Sequence, residues 1–229
     1  MKTLINKLIA KVTTHSLIGR AGGESLVFFC FLILFAACSK DDNSEYDPYY
    51  DWQSRNNAWF SGIAAQARDE INAAKKQYGD NWTDHCEWRM YKSLMWSPLY
   101  QSGQVTDSIC MRLLNPEKTG KGTSYPKSTD VVSVAFQGYL MPTTDAFGNR
   151  FETMFTNTYV GNFDPSTATF NTTTVSAYLN GFYTALHYMV AGDSWEVYIP
   201  YQLFYGETAQ TNIPAYSSVR FIIHRQDEK

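Results

Sequence analysis

Apolar residues recur at helical spacing over the stretch from Trp52 to Tyr78. Successive apolar positions are separated by seven, four, four, four, three and four residues, which fits the period of an amphipathic helix. Gly79 follows directly, where a C-terminal helix cap is expected. Between Asn81 and Met95 the apolar residues lie four apart and predict a second helix, whose face comprises Trp82, Cys86, Met90 and Leu94. The sequence therefore predicts a helical region over residues 52–104.

This predicted pair of N-terminal helices allows two interpretations. Its apolar faces can pack against the rest of the chain, in which case the helices are a structural extension of the domain that follows. They can also form an interface, either between two copies of the chain in a homodimer or with a partner protein. Both interpretations stay open on the sequence alone.

From Ser108 onward the pattern changes to short apolar runs separated by turn residues. The stretch Tyr178–Met189 predicts a short helix, and a long loop is expected over Met141–Arg150. The predicted strands are Ser108–Leu114, Val131–Leu140, Met154–Tyr159, Ser194–Ile199 and Ser218–His224. Strands, one helix and then strands are typical of an α+β domain, which we place at residues 105–229.

Residues 1–37 carry the features of a secretory signal peptide. Four basic residues precede an apolar run over Leu26–Ala37, which is too short to span a bilayer that needs about 20 helical residues. The small residues directly before Cys38 resemble the lipobox of bacterial lipoproteins, in which the cysteine is acylated. Ser39-Lys40-Asp41-Asp42 resembles the surface-export signal of Bacteroidetes lipoproteins. We therefore expect an outer-membrane lipoprotein that faces the cell surface or the periplasm, with an acidic tether at 38–51.

The mature chain is acidic and keeps two unmodified cysteines. Without residues 1–37, which hold four basic residues and one acidic residue, 15 basic and 21 acidic residues remain, a formal net charge of −6. A nucleic acid is therefore not expected as a partner. Cys86 and Cys110 remain once Cys38 is acylated. In an oxidising compartment they form either a disulfide or two buried thiols, and the sequence does not decide between these.

Motifs for metal, nucleotide or nucleophilic chemistry are missing from the sequence. There is no His-Glu-x-x-His, Cys-x-x-Cys, glycine-rich phosphate loop or Gly-x-Ser-x-Gly elbow. The histidines of the mature chain, His85, His187 and His224, are scattered singly. The sequence therefore predicts neither a metal site nor a cofactor.

Small, aromatic and proline residues follow one another in a distinctive order near the C-terminus. Asn180-Gly181-Phe182 is followed by Tyr205-Gly206, then by Ile213-Pro214 and by Val219-Arg220-Phe221. This order and spacing resemble the C-terminal half of an FKBP-type peptidyl-prolyl cis-trans isomerase. The resemblance covers residues 108–225. It implies an antiparallel sheet wrapped around a short helix, and proline-containing peptides or unfolded exported proteins as partners.

The resemblance also implies the residues of a proline-binding site. Tyr205, Phe155 and Thr156 take the catalytic positions, and Tyr205 is expected to hydrogen-bond the ligand. The walls and floor of the pocket are assigned to apolar residues: Phe136, Leu179, Phe182, Ile213 and Phe221. Such a pocket needs no nucleophile, metal or cofactor, because it acts by favouring the twisted amide.

Three positions depart from the family's usual pattern. Thr156 stands where an aspartate usually follows the wall phenylalanine, Phe136 replaces a tyrosine and Phe182 replaces a tryptophan. The apolar slot is kept but loses polar groups, so two functions are considered. One is an isomerase that assists the folding of exported proteins, with activity weakened by Thr156, and the other is a non-catalytic FKBP-like binding module or chaperone. A third interpretation, a glycan-binding lipoprotein, uses the 16 tyrosines and 6 tryptophans of the chain.

Overall fold

The computed structural model describes most of the chain after residue 45. The described ranges are 46–95, 97–99, 103–114, 122 and 124–226. The predicted signal peptide, the predicted lipidation site Cys38 and most of the predicted tether lie outside the described residues. Within the described ranges, no helix has both the length and the apolarity that a membrane span requires.

An antiparallel sheet of seven strands forms the centre of the structure. In the described residues the strands are β1 (Trp88–Lys92), β2 (Ser108–Leu113), β3 (Val131–Leu140), β4 (Thr143–Thr144), β5 (Arg150–Phe151), β6 (Met154–Asn157), β7 (Asn171–Thr174), β8 (Ser194–Ile199) and β9 (Val219–Arg225). The order is β1-β2-β8-β9-β3-β6, and β7 pairs with the N-terminal half of β3. Strands β4 and β5 form a separate hairpin.

Two α-helices pack on opposite faces of the β1-β2-β8 part of the sheet. Helix α1 (Trp52–Tyr78) packs against the face that carries Cys110, and helix α2 (Asn180–Leu186) against the face that carries Ile109 and Met111. This arrangement confirms the predicted α+β class. The buried face of α1 is covered by the chain's own sheet, which agrees with the packing interpretation. Dimerisation through this region stays a prediction.

The second predicted helix, over Asn81–Met95, is wrong. Helix α1 ends at Tyr78, and its C-cap residue Gly79 has a φ of 56° and donates its N–H to the Lys75 carbonyl. A 3₁₀ helix (Gly79–His85) follows, and the chain then enters β1, which pairs residue by residue with β2. The apolar residues spaced four apart belong to three different local conformations, so their spacing does not define a helical face. Burial of Trp88 against α1 and five cross-strand pairs favour the strand instead.

Cys86 and Cys110 are free thiols in the structure. Cys110 is fully buried beneath α1, and this burial raises the pKa of its thiol to about 12. Cys86 is half-buried, and its thiol donates to the Trp88 carbonyl at 3.7 Å. The disulfide between these two cysteines stays a prediction, and a thiol with a pKa as high as that of Cys110 is a poor nucleophile.

Gly181 sets the distance between α2 and the sheet. A Cβ atom at this position would lie 2.2 Å from Cγ2 of Ile199 on β8. We therefore expect Gly181→Ala to lower the free energy of unfolding by about 2 kcal/mol, because the helix must move away from a packed strand. The matched control is Gly62→Ala in α1, where nothing lies within 4 Å of the new Cβ. This control should raise stability by up to about 1 kcal/mol, because alanine favours a helix. Urea unfolding measures the stability of both variants, and equal unfolding midpoints for Gly181→Ala and Gly62→Ala would contradict the prediction.

Candidate active site

One cavity of about 440 Å³ gathers every site residue that the sequence analysis assigned to ligand binding or catalysis. They line it together: Phe136, Phe155, Thr156, Leu179, Phe182, Tyr205, Ile213 and Phe221. Strands β3, β6 and β9 supply the walls from the sheet, and α2 with the three residues before it supplies another side. The segment between β8 and β9 closes the cavity. We call it the aromatic cavity; the roles of its residues in ligand binding and catalysis stay predictions.

The ring of Phe221 is the centre of the aromatic cavity. It is 4% exposed and meets four other rings, with centroid distances of 5.1 Å to Phe182, 5.6 Å to Phe155, 5.9 Å to Phe204 and 6.1 Å to Phe136. The interplanar angles are between 72° and 87°, so the contacts are edge-to-face. Rings at such angles enclose a slot and do not form the coplanar platform on which a sugar would stack.

Gly138 on β3 allows the rings of the cavity wall to approach the sheet. A Cβ atom there would lie 2.7 Å from Cε1 of Phe221, 2.8 Å from Cζ of Phe155 and 2.8 Å from Cγ2 of Thr156. Thr156 is the cross-strand partner of Gly138. Because Gly138 has no side chain, the rings of Phe155 and Phe221 can occupy the space next to its Cα atom.

Several polar groups are placed at the cavity, among them the hydroxyls of Tyr205 and Tyr178 and the Leu179 N–H. Tyr205 is 38% exposed, and its hydroxyl has no hydrogen-bond partner among the described residues. The Leu179 N–H also lacks an acceptor among these residues. Tyr178 accepts a hydrogen bond from Asn171 Nδ2 at 3.2 Å, and burial raises the pKa of its hydroxyl to about 12. Tyr205 and Leu179 are thus donors available to a carbonyl in the cavity, and Tyr178, which only accepts in its contact with Asn171, keeps its own O–H.

None of the described residues that line the aromatic cavity is charged. The neighbouring charges are paired with each other: Arg220 donates to Glu196 at 3.1 Å and also to Glu152. Arg220 precedes Phe221 on β9, and successive side chains of a strand point to opposite faces of the sheet. This ion-pair network therefore lies on the face of β9 that Phe221 does not use.

Sequence reasoning missed several residues that line the cavity. Phe204 packs against Tyr205 at 4.4 Å and against Phe155 at 5.9 Å. Tyr178 stacks on Phe182 at 4.6 Å. Each directly precedes an assigned position, Tyr205 or Leu179, and this adjacency was the available signal. The turn that contributes Gln210, Thr211 and Asn212 is exposed and polar, and its one signal was the adjacency of Asn212 to the assigned Ile213.

Solved structures that match the chain include one from a plant and two from bacteria. The three FKBP domains of wheat FKBP73 match at 22% identity and a TM-score of 0.39, over 55% of this chain and 47% of the wheat chain. The chain thus spans about half the length of that structure. A peptidyl-prolyl cis-trans isomerase from Pseudomonas syringae pv. tomato matches at 17% identity and a TM-score of 0.39, over 72% of this chain and 92% of the Pseudomonas chain. FkpA from Escherichia coli matches at 15% identity and a TM-score of 0.40, over 99% of this chain and 89% of the FkpA chain.

No curated protein matches the chain in sequence. A family model does match: residues 122–224 fit the model of the FKBP-type peptidyl-prolyl cis-trans isomerases. The matched range contains all eight assigned residues of the aromatic cavity and every strand from β3 to β9 except the end of β9. Residues 122–224 of the chain thus match an FKBP-type peptidyl-prolyl cis-trans isomerase domain.

Proposed function

We propose that the protein is a peptidyl-prolyl cis-trans isomerase that binds X-Pro segments of exported proteins in the aromatic cavity. The observation that carries this proposal is the cavity itself. Its walls are phenylalanine rings around Phe221, and the Tyr205 hydroxyl at the cavity has no partner among the described residues. A proline ring and an amide need such a combination of apolar walls and one oriented donor.

The chemistry of the cavity suits rotation about an amide bond. Planar X-Pro amides are stabilised by resonance, and the barrier to rotation is about 18–20 kcal/mol. The twisted amide is less dipolar than the planar one, so it loses less hydration when it enters a cavity lined by phenylalanine. In the proposed complex the Tyr205 hydroxyl or the Leu179 N–H donates to a carbonyl oxygen of the peptide. This donor holds the peptide so that rotation occurs inside the cavity.

Export and membrane attachment belong to the same proposal. The signal-like residues 1–37 and the lipobox-like residues before Cys38 support a lipoprotein of the outer membrane. Its clients would be unfolded proteins of the envelope or the cell surface. Radioactive palmitate should label the wild-type protein in cells, and Cys38→Ala should abolish the label. Equal labelling of both would contradict the attachment through Cys38.

The isomerase claim is tested with the purified protein and a proline peptide. We expect isomerisation faster than in buffer, with a loss of about tenfold in kcat/KM for Tyr205→Phe, because one hydrogen bond to the ligand is removed. Phe155→Ala should also reduce the rate, because it removes a ring of the wall. Tyr50→Ala is the control, since Tyr50 is 76% exposed and lies outside the cavity lining. A rate equal to that of buffer would contradict turnover.

One observation favours a second candidate, a binding module without turnover. The described lining of the aromatic cavity contains no carboxylate, and Thr156 stands at the position where the family resemblance implies an aspartate. In this case the protein would hold proline-containing segments without accelerating their isomerisation. Calorimetry distinguishes the two: binding of a proline peptide without turnover supports the binding module, and no binding contradicts both.

A further inference from the structure

A second cavity of about 440 Å³ adjoins the aromatic cavity. The turn from Gln210 to Ile213 lines both cavities. The chain around β6 also contributes to both, because Thr153 and Met154 line the second cavity and Phe155 and Thr156 line the aromatic one. The two cavities are therefore successive parts of the gap between the segments 153–156 and 210–214. We call the second one the outer cavity; its walls include Tyr49, Met154 and Pro214.

The walls of the outer cavity are held in place by a chain of contacts. The Tyr49 ring packs edge-to-face on Trp52, with a centroid distance of 5.0 Å. Trp52 is buried, and its Nε1–H donates to Ser217 Oγ at 2.9 Å. The Ser217 hydroxyl in turn donates to the Pro214 carbonyl at 2.6 Å. Tyr49 and Pro214 are thus connected through Trp52 at the start of α1, so this part of the lining is held in place without a ligand.

The turn between the two cavities is narrow and closed. The Gln210 N–H donates to the Ile213 carbonyl at 2.8 Å, and the Ile213 N–H donates to the Gln210 carbonyl at 3.2 Å. Paired antiparallel strands are about 5 Å apart, and an extended chain advances about 3.4 Å per residue. A peptide with its proline in the aromatic cavity can therefore place a side chain two or three residues away in the outer cavity.

The lining of the outer cavity is mixed: Tyr49, Met154, Ile213 and Pro214 carry aromatic or apolar side chains, and Thr153, Gln210, Thr211 and Asn212 carry uncharged polar ones. No charged residue is among the described residues that line it. Tyr49 and Met154 are 38% and 41% exposed, so a ligand would cover apolar surface on both. An aromatic or large aliphatic side chain gains from covering this surface, whereas a charged side chain would lose hydration without meeting a counter-charge.

We propose that the outer cavity is a substrate subsite for an aromatic or large aliphatic side chain located two or three residues from the proline. This inference rests on the proposed function. It defines the substrate class as polypeptide segments in which a proline lies close to an exposed apolar residue. Unfolded proteins present such segments, because their core residues are still accessible to solvent.

The subsite is tested with proline peptides that carry phenylalanine two or three residues before or after the proline, each compared with a serine counterpart. In at least one placement, phenylalanine should raise kcat/KM by about tenfold, as expected for partial burial of an aromatic side chain. Tyr49→Ala and, separately, Met154→Ser should bring this ratio close to one. Tyr50→Ala is the matched control, because Tyr50 lies next to Tyr49 but not in the lining, and it should keep the ratio.

Equal rates for phenylalanine and serine peptides in every placement would overturn the subsite. A preference that survives in both Tyr49→Ala and Met154→Ser would overturn it too, and thermal unfolding checks that each variant is folded. Absence of turnover with every peptide is a different result, because it contradicts the proposed isomerase. In that event the same phenylalanine-to-serine ratio is measured as peptide affinity by calorimetry. A ratio of one in affinity then overturns the subsite independently of catalysis.

Discussion

Replacing Thr156 with aspartate should accelerate isomerisation of a proline peptide by about tenfold, which corresponds to about 1.4 kcal/mol of barrier. Thr156 is half-buried and lines a cavity without charged residues among its described lining. A carboxylate in such surroundings acts at a lower effective dielectric than in water. The planar amide carries more negative charge on its oxygen than the twisted amide, so a carboxylate facing that oxygen disfavours the planar form. The measurement is kcat/KM at neutral pH.

Thr156→Asn is the matched control for this gain. Asparagine has nearly the shape of aspartate and lacks its charge, so it should leave the rate close to that of the wild type. The gain of Thr156→Asp should also disappear as the pH is lowered through the pKa of the new carboxyl group. Equal rates for the aspartate and asparagine variants would show that charge at this position does not affect turnover. That outcome would favour the binding module.

Gly138→Ala should reduce peptide affinity and kcat/KM by more than about tenfold, because overpacking distorts the cavity. The new Cβ would lie within 2.8 Å of Phe155, Thr156 and Phe221, and all three belong to the cavity lining. Strand β3, which carries Gly138, is held in place by its hydrogen bonds to the neighbouring strands. The rings of Phe155 and Phe221 must therefore shift into the empty space of the cavity. Overpacking of this kind costs about 1–3 kcal/mol. At Gly138 we expect it to appear mainly as a distorted cavity that binds the peptide less tightly.

The control for Gly138→Ala separates a blocked cavity from an unfolded protein. Urea unfolding should show a smaller loss of stability than for Gly181→Ala, because the rings at Gly138 have a cavity to move into. At Gly181 the new methyl group meets the Ile199 side chain and the Leu203 carbonyl instead. Wild-type affinity in a folded Gly138→Ala protein would contradict the assignment of the aromatic cavity as the ligand site.

The sequence predicted the elements whose residues show a regular pattern of burial. Helix α1 has the predicted bounds, and so do β3 and β8, because each buries one or both faces in a regular way. Strand β7 was missed because Asn171–Thr174 is polar, and its extended conformation is stabilised by pairing with β3. The helix predicted over Asn81–Met95 failed for the opposite reason. Its apolar residues were real, but they are distributed over a 3₁₀ helix, a strand that pairs with distant residues, and irregular positions beside them.

The aromatic cavity was predictable through the spacing of aromatic, glycine and proline residues, and the outer cavity was not. Its residue Tyr49 lies in the stretch expected to be a polar tether, where no apolar periodicity marks it. The position of Tyr49 depends on its contact with Trp52, which in turn hydrogen-bonds Ser217, a residue 165 positions further along the chain. Such a contact is a property of the folded chain and has no local signal.

The uncharged lining of the aromatic cavity also has a kinetic consequence. Charged sites accelerate the encounter with their ligands by long-range attraction, and this acceleration falls steeply as salt is added. The described lining of the aromatic cavity is neutral and adds no such attraction of its own. Any dependence of the encounter rate on salt or on the charge of the ligand would therefore come from charges elsewhere on the chain.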